Sequence, residues 1–385
     1  MGCPCLTNSK YAEPKNDLEL KALLLCDGFN ADKQATKWFA AQNPSNTKRG
    51  GLSSGAKMKL PSGMFVNAPL YKNREAKISA VSSGANEVQL SFKEVHSGNL
   101  IQKFVGAATI LSAPTWYEEF VDSFRITQII TAHNRQLASA VFEGCALFGR
   151  GDACPFCVIN YSLSDKDPRL VLKSPNLYLE ALKRIPVHEY DGLALNGGLT
   201  LKPSRGIELI EPVVRAVHEC YPNLPIAVEI TPPTDMAWID RLQKAGAASL
   251  MMNLETWDLH KRAYGIPGKN ELCPRDQYIE AFKRGIKAFG PGKISTCFVV
   301  GTEGYDTLLE GIREVTRMGV IPSPLAGRYF EDVPNYPFKS SVYWEDFLRM
   351  IEYTGDQMAK YNIRSTDRAG CVACGMCDLI RDLIP

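Results

Sequence analysis

Histidine is scarce in this sequence and neither sign of charge dominates it, and each absence argues against a class of function. Only five histidines occur among the 385 residues. None lies beside a group of cysteines, which argues against a zinc-dependent hydrolase. The 44 Lys and Arg residues are balanced by 42 Asp and Glu residues, for a net charge of +2. The net charge therefore creates no strong electrostatic field that would attract nucleic acid or an anionic membrane, and nucleic-acid binding is not indicated.

Long apolar runs are also missing. No stretch approaches the roughly 18 apolar residues of a membrane-spanning helix, and the start "MGCPCLTNSKYAEPKND" lacks a basic segment followed by an apolar one. We therefore expect a cytoplasmic protein without a membrane partner. In that reducing compartment the 12 cysteines are not expected to form disulfides, and their clustering indicates metal binding.

Composition divides the chain into four segments. Residues 1–60 are rich in Asn, Ser, Lys and Gly, which favours a loosely ordered polar arm. Residues 61–129 carry β-branched and aromatic runs split by Ser, Gly and Asn, which predicts a small β-rich subdomain. Residues 130–340 alternate strand and helix patterns, and residues 341–385 hold a last helix and a cysteine-rich tail.

The alternation in the third segment predicts an α/β fold. Six short apolar runs, "LASAVF", "GLALNGG", "PIAVEIT", "AASLMMNL", "KISTCFVVG" and "MGVIPSPLAG", are mostly separated by segments of helical period such as "YDTLLEGIREVTRMG". Six β/α units imply a parallel sheet with right-handed crossovers, curled into a partial (β/α)6 barrel of TIM type. In such folds the functional residues gather at the carboxyl ends of the strands.

Three cysteines follow the first of these strands, in "GCALFGRGDACPFC". Cys145, Cys154 and Cys157 could in principle serve core packing, disulfides, zinc or an iron–sulfur cluster. Without a neighbouring His or a fourth Cys they make a poor closed zinc site. A [4Fe–4S] cluster held by three cysteines instead leaves one iron open to a substrate or cofactor.

The tail "RAGCVACGMCDLIRDLIP" contains a second group, Cys371, Cys374 and Cys377, with two residues in each gap. This spacing around small residues predicts a second metal site, again iron–sulfur rather than zinc because only three cysteines are present. The sequence leaves the fourth ligand open: Cys3, Cys5, Cys26, Cys273, a non-cysteine side chain or an exogenous molecule.

With its three-cysteine loop ending Cys-x-aromatic-Cys, the chain resembles the radical S-adenosylmethionine (radical SAM) superfamily over residues 130–340. It departs from the commonest pattern because eight residues, rather than three, separate Cys145 from Cys154. The resemblance implies a [4Fe–4S] cluster whose open iron chelates S-adenosylmethionine. One electron from the cluster would then split the cofactor's C–S bond to give a 5′-deoxyadenosyl radical.

The resemblance also assigns contacts to the cofactor. "LALNGG" is similar to the superfamily's Gly-Gly-Glu-like turn, although Leu199 stands where an acidic residue is common. "MMNLETWDLHKRAYGIPG" is similar to an Asn-Leu-acidic segment on the fourth strand of biotin synthase and lipoyl synthase, and "FVVGTEGYD" to a turn near the adenine. By this resemblance the cofactor-binding residues are Phe156, Asn196, Gly197, Gly198, Asn253, Glu255, Val300 and Gly301.

Other residues are interpreted from their positions alone. Arg328, after the sixth strand, is the candidate catalytic residue because a guanidinium can hold a carboxylate or phosphate of the substrate. Glu303 begins a helix, where an acidic cap is favoured. Glu229 either faces the barrel interior or forms a structural salt bridge. The isolated cysteines are predicted to be buried thiols: Cys220, Cys273 and Cys297.

The predicted function is that of a radical SAM enzyme with an auxiliary iron–sulfur cluster. The resemblance implies hydrogen abstraction from a small-molecule or peptide substrate and a reducing partner such as flavodoxin or ferredoxin. Sulfur insertion, methylation, rearrangement and peptide modification all stay open as outcomes. The alternative is a non-catalytic iron–sulfur electron-transfer protein, in which the "NLET" and "NGG" segments would be coincidental.

Overall fold

The computed structural model describes residues 12–43, 55–96, 99–159, 167–333, 335–338, 342–364 and 369–383. Cys3 and Cys5, two candidates for a fourth tail ligand, lie outside these residues.

The first part of the chain forms a mostly antiparallel sheet of six strands. Its elements are α1 (Asp17–Asp27), β1 (Phe29–Ala31), α2 (Lys33–Ala40), β2 (Ala56–Lys59), β3 (Phe65–Ala68), β4 (Ile78–Gly84), β5 (Glu87–His96) and β6 (Asn99–Ile110). The strand order is β1-β4-β5-β6-β2-β3, and the β1–β4 pair is parallel. The expected β-rich subdomain therefore contains strands that begin well before residue 61.

Part of the segment predicted as a loosely ordered arm is a buried helix. In α1 the side chains of Leu20, Leu23 and Leu24 are fully buried, and Asn16 caps the helix by accepting a hydrogen bond from the Glu19 amide at 3.0 Å. Leucines at these spacings line one helix face, which packs into the core. Because residues 1–60 are polar on average, their composition did not reveal the helical spacing of these leucines.

The second part forms the predicted half-barrel. A short hairpin, β7 (Phe120–Val121) and β8 (Phe124–Arg125), precedes it. The remaining elements are β9 (Thr131–His133), β10 (Gln136–Phe142), α3 (Ala146–Arg150), α4 (Pro175–Leu182), β11 (Gly192–Gly197), α5 (Ile207–Cys220), β12 (Ile226–Glu229), α6 (Ala237–Lys244), β13 (Ser249–Met251), α7 (Leu259–Gly265), α8 (Pro267–Leu272), α9 (Arg275–Phe289), β14 (Ile294–Val300), α10 (Tyr305–Arg317) and β15 (Ile321–Ala326). The strand order runs from β15 to β9, so neighbours in the chain are neighbours in the sheet. Strands β10 to β15 are parallel, and β9 adds an antiparallel edge.

The two faces of this sheet differ in side-chain size. Large apolar residues such as Leu195, Val228 and Phe298 point outward to the helices and are fully buried. Register partners share a face in a parallel sheet, and the inner face carries mainly small or polar side chains: Ala138, Ala140, Ala194, Asn196, Ala227, Glu229, Ser249, Ser295, Cys297 and Ser323. The half-barrel therefore encloses space that polar groups line.

The C-terminal segment returns to this inner face. It contains α11 (Trp344–Lys360), α12 (Cys371–Cys374) and α13 (Ile380–Leu383). Ahead of α12, a Cβ placed on Gly370 would lie 3.0 Å from the Ala227 Cβ, so the tail backbone approaches β12 closely. Among the described residues, none of the helices combines the length and apolar character that a membrane span requires.

Candidate functional site

The structure brings the three cysteines of the first group together at the carboxyl end of β10. Cys145 occupies the position before α3, and the Cys157 amide donates to the Cys154 carbonyl at 3.0 Å. All three thiols belong to one small apolar cluster with Leu199 and Ile266, separate from the main core. The eight-residue gap is therefore no obstacle to convergence, because α3 and its following turn fold the loop back.

A glycine turn after β11 fixes this loop. A Cβ placed on Gly198 would lie only 1.7 Å from the Gly144 carbonyl oxygen, so the two backbones touch. The Gly198 amide donates to the Phe142 carbonyl at 3.0 Å, and the Ala146 amide donates to the Leu199 carbonyl at 2.9 Å. The tight approach seen at Gly198 is thus to the cysteine loop itself, and only glycine permits it.

The neighbours of Gly198 on β11 belong to the inner face and to the turn. Asn196 is the register partner of Glu229 on β12. Gly197 is paired with Phe142, at a register shift in β10. These predicted cofactor contacts therefore lie next to the cysteine loop.

Burial favours the protonated form of two of these thiols, those of Cys154 and Cys157. It raises the pKa of Cys157 to about 11, with a backbone amide of Ile159 opposing the shift. Burial also raises the pKa of Cys154, and the negative charge of Glu255 adds to the effect. Metal coordination reverses this preference, because a bound cation deprotonates a coordinating thiol.

The donor set fits an iron–sulfur cluster better than a single ion. Within the described part of the chain, no three His, Cys, Asp or Glu side chains are grouped so that they could hold one metal ion. Each cysteine of a cluster binds a different iron, so cluster ligands stand farther apart than ligands of one ion. The thiols of Cys145, Cys154 and Cys157 are close enough to influence one another electrostatically, and three cysteines are the number that a [4Fe–4S] cluster with one open iron takes.

Glu255 lies beyond the fourth strand rather than on it. Strand β13 ends at Met251, and Glu255 has a left-handed backbone with φ of 72°. The position on the fourth strand that the resemblance implies for Asn253 and Glu255 is therefore wrong. The Glu255 amide donates to the Cys297 carbonyl at 2.9 Å, which holds the segment beside β14.

The Glu255 carboxylate is buried in an ion pair that the sequence did not reveal. Its Oε1 lies 2.7 Å from Lys269 Nζ, while Oε2 is buried with no hydrogen-bond partner. Burial lowers the pKa of Lys269, but the neighbouring acidic groups together, Glu255 first among them, raise it well above its usual value. Lys269 therefore stays charged, and one oxygen of the Glu255 carboxylate remains without a partner and able to accept a hydrogen bond.

Lys269 links this carboxylate to the cysteine loop. Its Nζ also donates to the Asn253 carbonyl at 3.1 Å, and Asn253 Oδ1 accepts from the Cys297 amide at 3.2 Å. On α8, a Cβ placed on the adjacent Gly268 would lie 2.3 Å from the Asp152 Cβ. The sequence shows Pro267 and Gly268 just before Lys269. Nothing in the sequence indicated that Lys269 would contact Glu255.

The turn after β14 contains the next predicted residues. Val300 is buried and ends the strand, and Gly301 follows with φ of 102°. Glu303 was predicted to cap the helix that follows it, whereas its carboxylate accepts from the Trp257 and Asp258 amides, both at 2.7 Å. It fixes the turn that leads into α7.

Two other predicted residues are held by protein contacts. Arg328 is buried, and its guanidinium donates to the Asn67 carbonyl on β3. Phe156 packs against the cysteine cluster. Its ring lies 5.9 Å from that of Phe338 in an edge-to-face arrangement, and its carbonyl accepts from Tyr336 Oη at 3.1 Å.

The tail cysteines lie between the half-barrel and the N-terminal sheet. The Cys371 thiol donates to Glu229 Oε1 at 2.9 Å. The Cys374 thiol lies 3.5 Å from the His133 carbonyl oxygen, and Asn67 Nδ2 lies 3.6 Å from Cys377 Sγ. Three different elements, β12, β9 and β3, therefore surround the tail thiols.

The isolated cysteines behave differently from one another. Cys273 and Cys297 are buried as predicted, but Cys220 at the end of α5 is exposed. The Cys273 thiol donates to the Pro232 carbonyl at 3.1 Å, and Cys26 is partly buried near α1. Neither Cys26 nor Cys273 contacts a tail thiol through any hydrogen bond among the described residues.

No protein-family model matches the chain. A curated relative, bacteriochlorophyllide c C-7(1)-hydroxylase from Chlorobaculum limnaeum, is 30% identical over 151 residues. That alignment covers 37% of this chain and 37% of the relative, so the chain spans well under two thirds of it.

Several solved structures are similar at low sequence identity. The [FeFe]-hydrogenase maturase HydG is 18% identical with a TM-score of 0.43, covering 58% of this chain and 49% of that one. A radical SAM methyltransferase from Sphaerobacter thermophilus is 16% identical with a TM-score of 0.44, covering 78% and 81%. Methylornithine synthase (PylB) is 15% identical with a TM-score of 0.43, covering 65% and 71%.

The similarity to these solved structures is one of fold.

Proposed function

We propose that this chain is a radical SAM enzyme that binds a [4Fe–4S] cluster through Cys145, Cys154 and Cys157. The observation that carries the proposal is the convergence of these thiols in one apolar cluster at the carboxyl end of the half-barrel. Three cysteine ligands leave one iron open to S-adenosylmethionine. The apolar surroundings exclude water from the chemistry.

The residues beside the loop supply contacts suited to a polar cofactor. The unpartnered Glu255 Oε2 would accept a hydrogen bond from a ribose hydroxyl, and Lys269 holds the carboxylate in place for that contact. Asn253, Phe156, Asn196, Gly197, Val300 and Gly301 complete the proposed cofactor site. Arg328 is the proposed substrate contact.

Cys145, Cys154 and Cys157 would hold a [4Fe–4S] cluster, which would supply the one-electron reduction of S-adenosylmethionine needed for hydrogen abstraction from a substrate C–H bond. A reducing protein such as flavodoxin or ferredoxin provides that electron. The similarity to a hydroxylase supports C–H functionalisation of a small molecule as the outcome. The chain's own contribution is to hold the cofactor and the substrate in the correct relative position and to exclude solvent.

A second iron–sulfur cluster belongs to the tail in this proposal. Cys371, Cys374 and Cys377 surround a tight turn in which Gly375 has φ of 65°, and burial raises the pKa of Cys374 to about 12. Three thiols grouped around such a turn are well suited to a metal that deprotonates them.

A purely electron-carrying protein is the competing function. Such a protein has no use for a buried carboxylate that keeps one oxygen unpaired beside the cysteine loop, since an unpaired buried acceptor costs about 1–3 kcal/mol. The Glu255 geometry therefore favours the enzyme.

The test is anaerobic reconstitution of the wild type and of Cys145→Ala, Cys154→Ala and Cys157→Ala, followed by iron, sulfide and 5′-deoxyadenosine analysis. Each substitution should remove one cluster's worth of iron and all cofactor cleavage. The exposed Cys220 provides the matched control, and Cys220→Ala should keep both. Undiminished cleavage of S-adenosylmethionine in any of the three cysteine variants would contradict the proposal.

A further inference from the structure

The solvent-facing side of the N-terminal sheet carries an apolar patch. Leu90 and Phe92 on β5 are buried in the core, so the residues that alternate with them point outward. On that outer face Val95, Leu100 and Phe104 leave 67%, 56% and 63% of their surface exposed. Val95 is the register partner of Leu100, and Phe104 lies four residues further along β6, so the three side chains share one face. Exposed apolar residues grouped in this way mark an interaction surface.

The strand beside this patch has an open edge. Strand β6 pairs with β5 along its length, but on its other side β2 pairs with it only at Thr109 and Ile110. Among the residues that the structure describes, no strand lies along that side of β6 from Asn99 to Val105. Alternate amide and carbonyl groups of such an edge point away from the sheet and can pair with another strand.

Lys103 lies in the middle of this edge, where a lysine would normally discourage pairing. Its Nζ, however, contacts Glu94 on β5 at 3.2 Å and Glu13 at 3.1 Å. Strand β5 lies on the opposite side of β6 from the open edge, so the contact with Glu94 draws the ammonium group away from the edge. The lysine therefore leaves the edge accessible to a second strand.

The side chains of this edge are complementary to themselves. In an antiparallel pairing of two copies about Gln102, Leu100 of each copy lies opposite Phe104 of the other. The same register places Ile101 opposite Lys103, so no two like charges face each other. The exposed apolar residues of β6 therefore meet one another at two symmetric positions.

The neighbouring symmetric registers are less favourable. Pairing about Lys103 would place the two lysines opposite each other, and like charges in that position are destabilising. Pairing about Ile101 would place Leu100 opposite the polar Gln102. Because the pattern matches itself in one register, the partner that it fits is a second copy of this chain.

We propose that the edge of β6 from Asn99 to Val105 is a dimer interface, at which it pairs antiparallel with the same edge of a second copy. The pairing joins two six-stranded sheets into one continuous sheet. A single strand pair supplies only part of the roughly 1,200–2,000 Å² that a stable interface buries, so the dimer is weak and its population rises with protein concentration. The interface lies outside the cysteine loop, and the dimer therefore forms whether or not a cluster is bound.

The test is sedimentation equilibrium of the full-length, reduced chain across the micromolar range. Leu100→Glu and Phe104→Lys are each compared with the wild type and with the double variant that carries both substitutions. Each single substitution places an unpaired charge opposite an apolar side chain twice in the dimer, and should raise the dissociation constant about a hundredfold or more. In the double variant the introduced charges have opposite signs and face each other across the interface, so the dimer should return.

Tyr264→Lys is the matched control, because Tyr264 on α7 is 86% exposed and far from the sheet in sequence. It should dimerise as the wild type does, and circular dichroism checks that each variant keeps its fold. A wild type that stays monomeric at every concentration leaves the edge to a different partner and overturns the proposal. Single variants that dimerise like the wild type, or a folded double variant that stays monomeric, would overturn it as well.

Discussion

At the scale of single residues, Gly198 is the position where a single added methyl group should disturb the site most. A Cβ there would overlap the Gly144 carbonyl, so Gly198→Ala must displace the backbone that carries Cys145. We expect iron bound after reconstitution to fall by about one cluster, as in the cysteine-loop variants. Backbone clashes of this kind cannot be relieved by a rotamer change.

Gly149→Ala is the control for this prediction. Gly149 lies in α3 of the same loop, and a Cβ there would meet nothing within 4 Å. Alanine also favours helix over glycine by about 1 kcal/mol. Normal iron content in Gly198→Ala would show that the loop accommodates the methyl group and would contradict the packing argument.

Residue spacing revealed the two cysteine groups but not the partners of charged side chains. Cys145, Cys154 and Cys157 were predictable because a cluster motif is local in sequence. Lys269 was not, since its contact with Glu255 requires α8 to pack back over the end of β13. The left-handed conformation of Glu255 was equally hidden, because nothing in a glutamate predicts it.

At the scale of elements, periodicity predicted the six parallel strands and most of the intervening helices. The runs "LASAVF" and "KISTCFVVG" became β10 and β14. Strand β15 contains Pro322 and Pro324 and lies at the sheet edge, where missing amide donors are tolerated. Periodicity overestimated β13, which ends at Met251, although the Met252 amide still donates to the Ser295 carbonyl on β14.

The turn into α7 provides a prediction about pH. Burial raises the pKa of Glu303 above its unfolded value of 4.5, although the Trp257 and Asp258 amides lower it. Between the unfolded and the folded pKa, the native state keeps a proton that the unfolded chain has released. The free energy of unfolding should therefore fall as pH rises through this window.

Glu303→Gln lacks this ionisation and serves as the reference. Urea unfolding of both proteins at about pH 5 and pH 7 should show that the wild type loses stability relative to the variant at the higher pH. A difference between the two proteins that is independent of pH, or that changes in the opposite direction, would contradict the assigned direction of the pKa shift.

At the scale of the whole molecule, the tail joins the two sheets. The Asn67 amide on β3 donates to the Met376 carbonyl at 2.8 Å, while Ser323 on β15 bonds Asp378. Sequence separation conceals these contacts, because residues more than 300 positions apart meet only after both sheets have formed. The sequence therefore predicted a metal site in the tail but not the residues that surround it.

Lys21 is the buried anchor of this arrangement. Its side chain extends from α1 and is fully buried. Its Nζ contacts Asp382 Oδ2 at 2.6 Å and also donates to the Gly375 carbonyl between two tail cysteines. Removing one partner of a buried ion pair typically costs about 3–5 kcal/mol. Lys21→Met keeps the apolar part of the side chain. The substitution should therefore remove mainly the charge and the two contacts by which Lys21 holds the tail.

We expect Lys21→Met to reduce the protection of tail amides against hydrogen exchange by about a hundredfold or more, since each 1.4 kcal/mol is worth about a factor of ten. The informative amides are those of Cys374 and Leu383, which donate to the Gly370 and Leu379 carbonyls. The control is Lys103→Met, because Lys103 pairs with Glu13 and Glu94 in an exposed position, where an ion pair contributes about 0–1 kcal/mol. The control should leave the tail unchanged. Equal protection in the two variants would mean that packing of the tail between the sheets, rather than the buried charge, holds the second cysteine group in place.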